Sequence, residues 1–164
     1  SALGTTADWL ICGDGEGPGM KNIIPDALVR QIPVLRSNEV MNYITTGEHS
    51  SSEFHPSVYD TGDSAFAMLV QGDAMTRHAG NGQSGLSFPE GSVITFNPLV
   101  KAKSGDYVLV LFGDDSVAFK QIYIGEIETN LVSLNQLYPN IILRNEEDSI
   151  LATAVYLEVT LSSY

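Results

Sequence analysis

Lys120 stands inside the run SVAFKQIYIG. Strict alternation there sets Ala118, Lys120, Ile122 and Ile124 on one face and Val117, Phe119, Gln121 and Tyr123 on the other. An amine among aliphatic neighbours loses hydration, which favours its neutral form and fits it for work as a general base. On an edge strand the same residue would do no chemistry. Its stem would cover apolar surface while the ammonium reached water, or it would block edge-to-edge pairing. Both readings are open at this level. A base also needs a nucleophile, and the natural place for one is a strand exit before a glycine-rich loop. In AFAMLVQGDAMTRHAGNGQSG that place holds Ala74, whose methyl group can attack nothing.

The other reactive side chains form no pattern. His49, His55 and His78 lie in polar stretches with no carboxylate or cysteine at ligand spacing, so no metal site is expected. GNGQSGLSFPEG has the glycines of a phosphate cradle, but no lysine follows and no helix begins there, so it reads as a loop. Cys12 sits beside acids, which raise rather than lower a thiol's pKa. No cofactor is implied. The acidic run NEEDS at 145–149 reads as solvated loop charge.

The elements that must position Lys120 and Ala74 are mostly strands. Apolar alternation predicts strands at 32–35, 65–71, 93–97, 106–112, 116–124, 130–135 and 150–161. Turn residues separate them, in PEG at 89–91, KSGD at 103–106 and GDD at 113–115. VLVLFGDDSVAFKQIYI is a hairpin pattern, two β-branched and aromatic runs around a short Gly/Asp turn. The stretch 46–64 is polar and serine-rich and is expected to be a mobile surface loop. The first residues, SALGTTADWLICG, read as a short helix with Thr5 and Asp8 as its capping signal. Residues 14–31 follow as a linker that is flexible at first.

The chain has 164 residues, with 43% hydrophobic and 17% charged, which bounds it to one globular domain with a core. Its net charge of −12 repels phosphate backbones, so these residues are a poor nucleic-acid binder and protein partners are expected. No apolar run is long enough to span a bilayer. A single cysteine rules out an internal disulfide and suggests a reducing, cytoplasmic home.

Taken together, four blocks resemble the C-terminal domains of LexA-like proteins and of lambda-type phage repressors. DSAFAMLVQGDAMT resembles their strand and nucleophile turn of the form G-x-S-M. SFPEGSVITFNP resembles the next block, SGDYVLVLFGDDSVAFKQI the hairpin that carries the lysine, and SLNQLYPNI the L-N-x-x-Y-P segment. SALGTTADWLICG in turn resembles the last helix of the helix-turn-helix domain of these repressors. The resemblance implies a mainly β fold of twisted antiparallel sheets, related to signal peptidase, with a short N-terminal helical remnant. It divides the chain into 1–13, the end of a truncated DNA-binding domain; 14–31, a linker; and 32–164, a regulatory and dimerisation domain.

In active members of that family a serine, with a neutral lysine as base, cuts the protein's own linker at Ala-Gly or Cys-Gly. By position, Lys120 matches the lysine and Ala74 the serine, with Gly72, Asp73 and Met75 forming the turn around it. Aligned on Ile32-Pro33, the scissile dipeptide falls at Val40-Met41, where neither residue is small. Two independent departures fit a cleavage activity lost by descent better than one engineered change.

The resemblance thus implies the oligomerisation and regulatory domain of a phage or prophage repressor that maintains lysogeny. Such a domain would form a homodimer or higher homo-oligomer and reach operator DNA through the missing N-terminal domain. An antirepressor protein would inactivate it. The long apolar strand SILATAVYLEVTL is a candidate pairing surface, or else an interior strand. The alternative is a self-cleaving repressor, stimulated by RecA, carrying a Ser→Ala change at position 74.

Overall fold

The computed structural model describes residues 29–57, 61–78 and 85–161. The expected N-terminal helix, Cys12 and most of the linker lie outside the described residues. The chain divides into two compact units. One comprises Ser1–Gln31 with Pro56–Asp60, the other Ile32–His55 with Thr61–Tyr164. The second holds the seven-stranded sheet, the helix and the cleft developed below.

Among the described residues nine strands and one helix follow in order. They are β1 (Arg30–Pro33), α1 (Ser37–Thr46), β2 (Phe54–Ser57), β3 (Phe66–Leu69), β4 (Val93–Asn97), β5 (Tyr107–Leu111), β6 (Val117–Ile124), β7 (Thr129–Val132), β8 (Ile141–Ile142) and β9 (Ser149–Glu158). β1 and β2 form a two-stranded sheet, and the others form a seven-stranded sheet in the order β3-β4-β9-β5-β6-β7-β8. All its pairs are antiparallel. The fold is therefore mainly β, as the alternating pattern predicts.

β9 is the organising strand. Its first half pairs with β5 and its second half with β4, and Thr153 stands opposite both Asn97 and Val108. Register shifts on each side leave Leu151 and Val155 as the extra residues. Such bulges bend a strand and sharpen its twist, which lets one strand serve two partners. The interior reading of this segment holds at Thr153 alone, which has a partner strand on each side; before it the pairing is with β5. Beyond Thr153 it pairs with β4 alone.

The β5–β6 hairpin forms as its sequence predicts, with Phe112 N–H donating to the Ser116 carbonyl across the turn. Asp115 adopts φ 68°, a left-handed conformation that Asp tolerates better than most residues. The alternation in β6 also holds. Ile122 joins Val108, Val110 and Leu131 in one cluster, while Phe119 packs against the main core. That core is aromatic. Phe66 stacks on Phe96 at 5.6 Å, and Phe119 meets Phe96 edge-on at 5.4 Å and Phe88 at 4.9 Å.

Three elements depart from the sequence reading. α1 lies where the sequence reading expected no regular element, and it forms because Val40 and Tyr43, one turn apart, bury a narrow apolar stripe. Arg36 N–H donates to the Glu39 carboxylate at 3.0 Å, one half of a capping box, and Gly47 ends the helix in the left-handed region at φ 79°. The stretch 46–64, expected to be a loop, contains β2. Asp148, read as solvated, is buried. It accepts hydrogen bonds from the N–H groups of Gly113 and Arg144 at 3.0 and 2.8 Å, and the Arg144 N–H above all holds its carboxyl below the usual range.

Candidate functional site

A cleft of about 870 Å³ opens in the second unit. Residues 34–39 and 50–53 form one wall, the end of β3 and the following turn another, and the start of β6 a third. Ile94, Phe96 and Leu109 form part of its apolar lining. Ala74 and Lys120, 46 positions apart in sequence, both line it.

Lys120 is only 8% exposed. It lies on β6 between β5 and β7, so the edge-strand reading is corrected: this lysine does not guard an edge. Gln121 pairs with Val132, and the same register carried one residue further sets Ser133 opposite Lys120. The Lys120 ammonium donates to Ser133 Oγ at 2.5 Å, and the Tyr138 ring lies 5.8 Å from Nζ. Among the described residues no carboxylate forms an ion pair with it. Burial therefore pushes its pKa down.

Below the folded-state pKa, Lys120 is charged in both the folded and unfolded chains, and the cost of burying the charge is fully present. As pH rises through that pKa toward the ordinary value of 10.5, the unfolded chain binds more protons and folding gains stability. Lys120→Met is therefore expected to raise the urea midpoint at about pH 7 relative to the parent. The gap should narrow by about pH 10, where an ordinary lysine begins to lose its proton. Urea titrations of both proteins at the two pH values check this.

The turn that carries Ala74 is held from one side. Gly72 adopts φ 75°, and its N–H donates to the Glu90 carboxylate at 3.1 Å. Met75 is buried in the main core. Asn135 N–H donates to the Ala74 carbonyl at 2.9 Å, and Asn135 Nδ2 reaches the Asp73 carbonyl and carboxylate at 3.2 Å each. Tyr138 OH donates to Asp73 Oδ1 at 2.7 Å, and this bond pushes the phenol's pKa up. One short segment, 133–138, thus fixes both the Lys120 side chain and the Ala74 turn. Ser133, Asn135 and Tyr138 were not singled out as site residues in the sequence. The available signal was the register past β7, together with the conjunction of Asn and Tyr in SLNQLYPNI.

The remaining candidates fall elsewhere. Val40 is 0% exposed in the middle of α1, whereas Met41 on the same helix is exposed. Neither lines the cleft. His49 packs against Tyr43 and Phe54, and His55 pairs with Glu158 at 2.8 Å. His78 lies by Asp73 and Asn135. Among the described residues no group of three or more His, Cys, Asp or Glu side chains is placed to hold a metal ion. Nor is any helix there long and apolar enough to cross a membrane.

The sheet order, the lysine-bearing hairpin and the cleft between β3 and β6 define a mainly β domain of the LexA-like class. The chain belongs to the peptidase S24-like family, whose sequence profile matches residues 36–155. It is 32% identical over 148 residues to the HTH-type transcriptional regulator for conjugative element SXT of Vibrio cholerae, covering 85% of this chain and 66% of the relative. The same figures hold for the regulator for conjugative element pMERPH of Shewanella putrefaciens. It is also 35% identical over 89 residues to repressor protein C2 of Salmonella phage P22, covering 54% of this chain and 39% of the relative. The chain therefore spans slightly less than two thirds of the regulators it matches along most of its length.

Proposed function

We propose that this domain is the association and regulatory half of a transcriptional repressor of the phage or conjugative-element kind, acting in the bacterial cytoplasm without cutting itself. In this reading Ala74 occupies the position of the family nucleophile and Lys120 is its vestigial base. Residues 32–164 form the regulatory domain, preceded by a linker and the end of a DNA-binding domain. The observation that carries the reading is the lining of the cleft. A methyl group stands at the exit of β3, and the lysine's hydrogen bond goes to Ser133, which is not part of the lining. The placement of Val40-Met41 inside α1 supports it further. A peptidase acts on extended backbone, so a helical dipeptide with a core side chain would first have to unwind.

Association supplies the remaining function. Joining two DNA-binding modules turns the second half-site contact into an intramolecular one and raises operator affinity without new contacts. The C-terminal half of β9 is the proposed pairing surface, since Val155 and Tyr156 are exposed there, Val159 is exposed just beyond it, and β4 is the strand paired with it among the described residues. An antirepressor protein then provides the off-switch that cleavage would otherwise supply. Sedimentation velocity on the chain at micromolar concentration tests the association. A dimer or larger species is expected, reduced to monomer by Tyr156→Asp. A parent chain that sediments as a monomer throughout would overturn the reading.

A second reading draws on the burial of Lys120, which suits a working base. It takes the protein as a self-cleaving repressor with serine replaced at position 74.

A further inference from the structure

The cleft has two features that a vestigial site need not keep together, an open strand edge and an uncompensated cation. β3 is the terminal strand of the seven-stranded sheet. Its Ala67 carbonyl faces away from β4, because it accepts the Leu35 N–H at 2.8 Å. Backbone groups alternate in direction along a strand, so those of Leu69 and Gln71 face the same way. Val70 in between confirms the parity, since its N–H donates to Ser92 on the β4 side. The chain that covers Ala67 turns away into α1 from Ser37, and Leu69 and Gln71 are exposed at the cleft. An extended peptide can therefore add to this edge with its side chains over an apolar floor.

The charge in the cleft selects what the peptide carries. Lys120 is buried with a hydroxyl and an aromatic face as partners and no anion among the described residues. Ala74 and Met75 line the same cleft, and their N–H groups form no hydrogen bond among the described residues. Segment 133–138 stands behind Lys120 and Ala74, tied to both and absent from the lining. At the other wall Glu39 and Glu53 disfavour acidic side chains farther back in the peptide.

We propose that the cleft receives the C-terminal tail of a partner protein, bound as an added strand along β3 with its terminal carboxylate against the Lys120 ammonium. The partner's tail is apolar, and its last residue is small enough to sit beside Ala74. The inference rests on the reading that the cleft performs no cleavage, and it names where and through what chemistry an inactivating protein would engage.

Fluorescence polarisation on the whole chain tests it with fluorescein-labelled Gly-Leu-Val-Leu-Ala in two forms, free acid and C-terminal amide. A third probe, Gly-Leu-Glu-Leu-Ala amide, carries its carboxylate on an internal side chain. The free acid is expected to bind at least about tenfold more tightly than either amide, as loss of a charge-assisted contact implies. Lys120→Met should erase that preference while its circular dichroism spectrum stays that of the parent. Equal binding of acid and amide, a preference for the internal glutamate, or no binding of the acid at millimolar protein would overturn the proposal. These comparisons use the parent protein, so they stand even if the variant fails to fold. Mass spectrometry of the recovered probe separates this inference from the reading beneath it. Intact probe with no acid preference removes the inference alone, whereas shortened probe removes both.

Discussion

Replacing Phe96 with alanine is expected to lower the unfolding free energy by about 3–5 kcal/mol, the largest effect of any single truncation discussed for this fold. The side chain is 1% exposed, stacks on Phe66 and receives the edge of Phe119. It also lines the cleft. Removing it leaves a void that the neighbouring rings cannot refill without leaving their rotamers, and such voids cost energy beyond the lost transfer term. Phe96→Leu, which keeps most of the volume, should cost well under half as much. Urea titration of the parent and both variants checks the ranking.

The second large effect is expected at Asn135. Its side chain is 2% exposed, and it works at both ends. Nδ2 donates to the Asp73 backbone and carboxylate, and Oδ1 accepts the Leu137 N–H at 3.0 Å. Asn135→Ala takes the partner from the Leu137 N–H and one donor each from the Asp73 carbonyl and carboxylate, which keep the Thr76 N–H and the Tyr138 hydroxyl, at about 1–3 kcal/mol. The damage should be local as well as global, because the turn at 72–76 depends on this anchor. Hydrogen exchange is expected to accelerate at the Thr76 N–H, which bonds to the Asp73 carbonyl at 3.0 Å, more than at strand amides such as Val110. Uniform acceleration at both places would show that Asn135 contributes stability without positioning the turn.

These residues mark what the sequence made legible. The strands were readable because their alternation is strong. The segment 93–97 is a strand with those bounds, and β5, β6 and β9 begin and end within a few residues of expectation. Lys120 was readable for the same reason, since a charged residue in phase with Ile122 stands out. α1 was not, because only Val40 and Tyr43 of its ten residues are buried and its Val, Ile and Thr residues speak against helix. Its formation depends on tertiary contacts, including the Tyr43 hydroxyl donating to the Ala65 carbonyl at 3.2 Å. β8, two residues long, carries no periodicity to read. Asp148 looks like an ordinary polar loop residue, and Ser133 like an ordinary polar position in the expected strand 130–135. Their roles arise from register and from turn geometry that brings distant backbone N–H groups to one carboxylate.

We propose that the cleft keeps the lysine of a serine–lysine peptidase without keeping the reaction. On this reading a hydroxyl installed at position 74 should not by itself produce cleavage, because Val40-Met41 is helical and Val40 lies in the core. Burial lowers the pKa of Lys120, so alkaline conditions supply the neutral amine that the chemistry needs. The direct measurement is the intact mass of the Ala74→Ser chain after prolonged incubation at alkaline pH. The account predicts a single species at the full-length mass. Two fragments that sum to the chain plus one water, with a new terminus between residues 36 and 45, would contradict it.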